Sequence, residues 1–113
     1  MKDDRLYLIH ISECIERVER YTSGGRDEFI ADTMAQDAVL RNLQVLAESS
    51  QRLSADLKAR HPEVDRRGIS GFRNILVHDY LGVNILRVWE IVQGPLGELK
   101  DNINRILIDI ERR

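Results

Sequence analysis

The side chains best suited to chemistry in this chain of 113 residues crowd into one string, Gly71-Phe72-Arg73-Asn74-Ile75-Leu76-Val77-His78-Asp79-Tyr80. A histidine that titrates near neutrality can move a proton in either direction. An arginine presents a planar fork of donors suited to a phosphoryl group that gathers charge in its transition state. Tyr80 or Asn74 can orient a substrate beside them. Together these residue types point to proton transfer at a phosphodiester.

Their spacing limits how they can meet. At 3.6 residues per turn Asn74 and His78 are about 40° apart and Arg73 and Tyr80 about 20° apart, whereas Arg73 and His78 diverge by about 140°. No single helix face presents the whole set. Either a second copy related by a two-fold axis completes the site, as an isologous interface allows, or Arg73 reaches round the helix while its end near Gly82 distorts. His78 sits in the last turn before Gly82, where free carbonyls and the negative end of the helix dipole favour an imidazolium. A packed ion pair with Asp79, or a satisfied core histidine, is the bland reading of the same residues.

The elements that must position this string read as helices. Leu8, Ile11, Ile15 and Val18 recur at three and four within 4–21, with Glu13, Glu16, Arg17, Glu19 and Arg20 on the other face. Thr22-Ser23-Gly24-Gly25 ends that helix, because glycine supplies the φ > 0 backbone that turns the chain. A second, long helix is expected from about 27 to 53, with Ile30, Met34, Ala38, Leu43, Val45, Leu46 and Leu53 on its apolar stripe. Asp37, Arg41 and Glu48 read as a solvated row of ion pairs along it. Ser54 caps a short helix to about Arg60, and His61-Pro62 breaks it. Asp65 is the expected cap of the helix bearing Ile69, Phe72, Ile75 and Leu76, which Gly82 stops. Asn84 caps the next, with Ile85, Val88, Trp89 and Val92, to Gly94. Pro95 opens the last, which holds Leu96, Leu99, Ile103, Ile106, Leu107 and Ile110 and frays at Glu111-Arg112-Arg113.

Composition agrees with one helical domain. The chain is 42% hydrophobic and 32% charged with seven Gly and two Pro, too few turn formers for a sandwich or barrel. A net charge of −2 excludes a globally basic nucleic-acid coat, so any RNA contact is local. The one cysteine, Cys14, cannot form an internal disulfide, and with three scattered histidines it offers no metal-ligand spacing. No apolar run approaches the roughly 20 residues needed to cross a bilayer, so a soluble, cytoplasmic protein is expected. Short connections predict an all-α, antiparallel up-and-down helical bundle.

Arg73, His78 and Tyr80, within R-N-I-L-V-H-D-Y followed by L-G-V-N, resemble the R-x4-H-x-Y signature of the HepT-like HEPN toxins. The resemblance covers nearly the whole chain. Arg41-Asn42-Leu43 with Glu48 is similar to the family's second-helix pattern, His61-Pro62-Glu63-Val64 to its connector and Val88-Trp89 to its post-motif helix. One departure is Asp65-Arg66-Arg67, where relatives commonly carry Trp. The resemblance implies a single HEPN domain over 1–113 that forms a homodimer, with the motif helices lining a cleft at the interface. It also implies a metal-independent endoribonuclease that leaves a cyclic phosphate and a 5′-hydroxyl. His78 is then the proton-transfer group, Arg73 the stabiliser of transition-state charge and Asn74 a supporting residue. No cofactor is implied for the chain itself. Tyr80 resembles an acceptor for AMP, transferred from ATP with Mg by a partner, a minimal nucleotidyltransferase antitoxin of the MntA type. The added phosphate would take the substrate phosphate's place beside Arg73 and His78 and repel RNA.

Other classes use the same residues differently. A non-catalytic subunit of a two-component nucleotidyltransferase would hold nucleotide or substrate with Arg73 and His78, and a purely structural helical dimer would need neither. His10 and His61 read as surface residues, Cys14 as a small buried hydrophobe and Trp89 as a bundle anchor.

Overall fold

A computed structural model describes residues 3–64 and 84–112, and among these every regular element is helical. The first helix, α1 (Asp3–Tyr21), buries the stripe expected of it. Leu8, Ile11, Cys14, Ile15 and Val18 are all inaccessible to solvent. The helix is stopped by side chains as much as by glycine. Thr22 Oγ1 donates to the Val18 carbonyl at 2.8 Å and Ser23 Oγ to that of Arg20 at 2.9 Å. Of the two glycines that follow, Gly25 takes the left-handed backbone, with φ of 97°.

The long second helix of the sequence reading is two helices, α2 (Arg26–Ala31) and α3 (Thr33–Gln51). Asp32 separates them with an extended backbone, and its carboxylate accepts the Ala35 amide at 3.1 Å as the cap of α3. On the other side of the break Gln36 Nε2 donates to the carbonyls of Phe29 and Ile30 at 3.1 and 2.9 Å. Backbone groups on both sides of the interruption thus find side-chain partners.

The break resets which residues face inward. Phe29 is buried while Ile30 is 37% and Met34 81% exposed, contrary to the expected stripe. Val39, Leu43 and Leu46 define the buried face of α3. Met34 lies five residues before Val39, about 140° round the helix. The expected ion-pair row also fails to form among the described residues. Arg41 reaches Gln44 Oε1 at 3.4 Å, and neither Asp37 nor Glu48 pairs with it.

Beyond α3 come α4 (Ala55–Arg60), α5 (Pro62–Val64), α6 (Ile85–Gln93) and α7 (Pro95–Glu111). Ser54, Asn84 and Gly94-Pro95 mark the boundaries the sequence assigns them. The helix expected after Asp65 lies outside the described residues.

Helix α1 is the hub, packing on α3 and on α7. It runs antiparallel to α7, as two ion pairs at opposite ends record: Arg5 with Glu111 at 3.5 Å and Glu19 with Lys100 at 2.9 Å. The Glu19 carboxylate, through its hydrogen bond, raises the Lys100 ammonium above its ordinary value. These exposed pairs add little stability, but they fix the direction of the packing. α6 lies on α7 and α2, with the Trp89 ring 5.6 Å from that of Phe29, so Trp89 is the anchor expected. No helix among the described residues is long and apolar enough to cross a membrane.

The first turn of α1 is tied to the cap of α4 by a contact the sequence reading did not foresee. Asp4, 7% exposed, accepts from the Ser54 amide at 2.8 Å and from its hydroxyl at 2.6 Å. That hydroxyl in turn accepts the Leu57 amide at 3.1 Å, so a single side chain links α1 to the start of α4. Burial pushes the Asp4 carboxyl up, but the Ser54 hydroxyl and amide are the main causes opposing it, and the net displacement is downward from 3.8. A depressed folded pKa stabilises the protein above the ordinary carboxylate range, and the gain is lost as pH falls through the folded value. Asp4→Asn is therefore expected to cost about 1–2 kcal/mol at pH 7, the margin of a charged over a neutral hydrogen bond. Denaturant melts should show that gap closing as pH is lowered below 3.8.

Candidate functional site

The residues assigned to chemistry, Arg73, Asn74, His78 and Tyr80, lie outside the described residues. The described elements define how the chain enters and leaves that string. On the entry side Ser54 caps α4, Leu57 is 1% exposed and anchors it, and His61 closes it by donating its amide to the Leu57 carbonyl at 2.9 Å. Pro62 opens α5, which rests on α7. On the exit side Asn84 caps α6, which also packs on α7. One long helix therefore supports both flanks of the string.

Beside the entry lies an open groove of about 810 Å³ between α5 and α7, whose lining includes His61, Glu63, Glu98, Asp101, Asn102 and Arg105. His61 Nδ1 stands 3.4 Å from Glu63 Oε1, and the Arg105 guanidinium donates to Asn102 Oδ1. Among the described residues, its lining carries three carboxylates and one guanidinium.

Of the lesser candidates, Cys14 and His10 take the roles expected of them and His61 does not. Cys14 is buried, and that burial raises its thiol above the ordinary range, which leaves it a poor nucleophile. His10 is exposed on α1 with its ring 6.5 Å from that of Tyr7. His61 caps α4 and is partly buried rather than free on the surface. The sequence reading did not single out Asp4. An acidic residue in the first turn of a helix reads as a response to the helix dipole, and nothing local signals a partner fifty residues away.

Comparison with known proteins adds a second line. The chain is 30% identical over 112 residues, 98% of its length, to a Methanocaldococcus jannaschii protein named "Gamma-glutamylcyclotransferase and putative RNase". The match covers 50% of that relative, so the chain spans half its length. It is 32% identical over 108 residues to a "Putative RNase" of Caldanaerobacter subterraneus subsp. tengcongensis, covering 95% of the chain and 96% of the relative. It is also 33% identical over 101 residues to a "Probable ribonuclease HepT" of Thermococcus cleftensis, covering 88% and 92%. No solved structure gives a significant match. The model of the family described as "Ribonuclease HepT-like" matches residues 11–106, which spans both flanks of the string and the string itself. With that match and its all-α bundle of the HEPN type, the chain belongs to the HepT-like ribonuclease family.

Proposed function

We propose that this chain is the toxin of a type VII toxin–antitoxin pair, a metal-independent endoribonuclease that acts in the cytoplasm as a homodimer. The observation that carries the reading is the intact Arg73, His78 and Tyr80 set in a chain of the HepT-like ribonuclease family. The ribose 2′-oxygen bonds to phosphorus while the bond to the 5′-oxygen breaks, giving a cyclic phosphate and a 5′-hydroxyl. His78 moves the proton this exchange requires, Arg73 neutralises charge growing on the non-bridging oxygens, and Asn74 orients them. A minimal nucleotidyltransferase antitoxin, using ATP and Mg, transfers AMP to the Tyr80 oxygen and releases pyrophosphate. The phosphate so attached occupies the substrate's place beside the two cationic groups.

The test is cleavage of RNA by purified protein in the presence of a chelator. Fragments with 5′-hydroxyl ends are the expected product. Protein that binds or ignores RNA without cutting it would instead be a non-catalytic subunit that holds nucleotide or substrate.

A further inference from the structure

Met34 is the most exposed large apolar side chain among the described residues, and Ile30, also exposed, stands four positions before it. Every residue from 30 to 34 is exposed at the corner where α2 gives way to α3. The backbone beneath them is nonetheless held. Gln36 donates to the carbonyls of Phe29 and Ile30, Asp32 caps α3, and Phe29 is buried against Trp89. An apolar surface that is already shaped costs little ordering when something lands on it.

Charge along the same stretch selects what can land. Residues 26–37 hold four carboxylates, Asp27, Glu28, Asp32 and Asp37, and one guanidinium, Arg26, which already pairs with Asp27 at 3.3 Å. That is a net −3 in a chain whose total is −2, so the remaining residues sum to +1. Helix α6, which packs on α2, adds Arg87 and Glu90, one charge of each sign. A phosphodiester or an anionic lipid surface would bring like charge to this stretch. So would a second copy, because a two-fold contact through this corner sets four carboxylates against four. A basic segment of another protein brings the opposite charge.

We infer that the α2–α3 corner docks a basic amphipathic helix of a partner protein, with the apolar face of that helix on Met34 and Ile30 and its Lys or Arg side chains toward Asp27 and Asp37. Methionine, unbranched and polarisable, adapts its shape to such a partner. The inference does not depend on the ribonuclease reading, and its test measures no cleavage.

The probe is a labelled helical peptide of about 18 residues with Leu at spacings of three and four and Lys elsewhere. Two analogues replace Lys by Glu, or Leu by Ser. Fluorescence anisotropy at low salt should show the full chain binding the Leu/Lys peptide, and each analogue at least about tenfold more weakly. Met34→Gln should weaken the Leu/Lys complex about tenfold, as loss of a buried apolar contact does. Its melting temperature should not change, since the side chain is 81% exposed. Asp27→Asn combined with Asp37→Asn should slow association and flatten its salt dependence. Ile108→Gln, at an exposed position on α7 one turn from the Arg5–Glu111 pair, should alter binding by less than about twofold. No binding of the Leu/Lys peptide, equal binding of either analogue, or equal binding by Met34→Gln would overturn the inference. Sedimentation showing that Met34→Gln dissociates an oligomer of the parent chain would also overturn it, by making a second copy the occupant.

Discussion

His78→Ala is expected to reduce RNA cleavage by about 10²–10⁴-fold, the range for removal of a general acid or base. Arg73→Ala should cost about 10²–10³-fold, as the loss of a charge-stabilising donor does. The two should not add in the double variant, because each is of little use without the other. Expression in the absence of the antitoxin reports the same chemistry in cells. The parent chain arrests growth, and either variant, produced at equal level, relieves the arrest. A His78→Ala preparation that still cuts RNA would reveal a contaminating nuclease or a different catalyst. An unmodified parent chain harmless in cells would count against the toxin reading.

Tyr80→Phe separates cleavage from its control. Phenylalanine keeps the ring and removes the oxygen to which AMP is transferred, so incubation with the antitoxin, ATP and Mg should leave the variant unlabelled. Intact mass should rise by adenylate for the parent chain alone. If the hydroxyl serves only as acceptor, Tyr80→Phe retains ribonuclease activity and the antitoxin no longer relieves growth arrest. The phosphate added to the parent chain should act through repulsion and occupancy together. Treatment that removes the adenylate should therefore restore cleavage without refolding. Labelling that persists in the variant would place the acceptor on another residue.

The candidate site is read from information that is local and chemical. Arg73, His78 and Tyr80 declare themselves through residue type and spacing, and membership of the family accords with the expectation they raised. Their meeting in space is a different matter, since the angular spread of Arg73 and His78 on one helix leaves that to a partner or to a distortion. The four residues lie outside the described part of the chain, and what the structure adds is their two supports. The same contrast holds for charge. Glu63, Glu98 and Asp101 look unremarkable in sequence, but α5 and α7 bring them to the lining of one groove.

By itself the sequence determined what depends on neighbours three or four positions away. The buried stripe of α1, the caps at Ser54 and Asn84, and the Gly94-Pro95 junction all arise from hydrogen bonds and periodicity within a turn or two. Only the tertiary structure decided that Phe29 goes inward in place of Ile30 and Met34 and that α7 returns along α1. It alone brought Asp4 to Ser54 across fifty positions of chain. The reason is that a helix with several adequate apolar faces has no local preference among them. The choice is made by which face, packed against every other helix at once, removes the most apolar surface from water without orphaning a polar group.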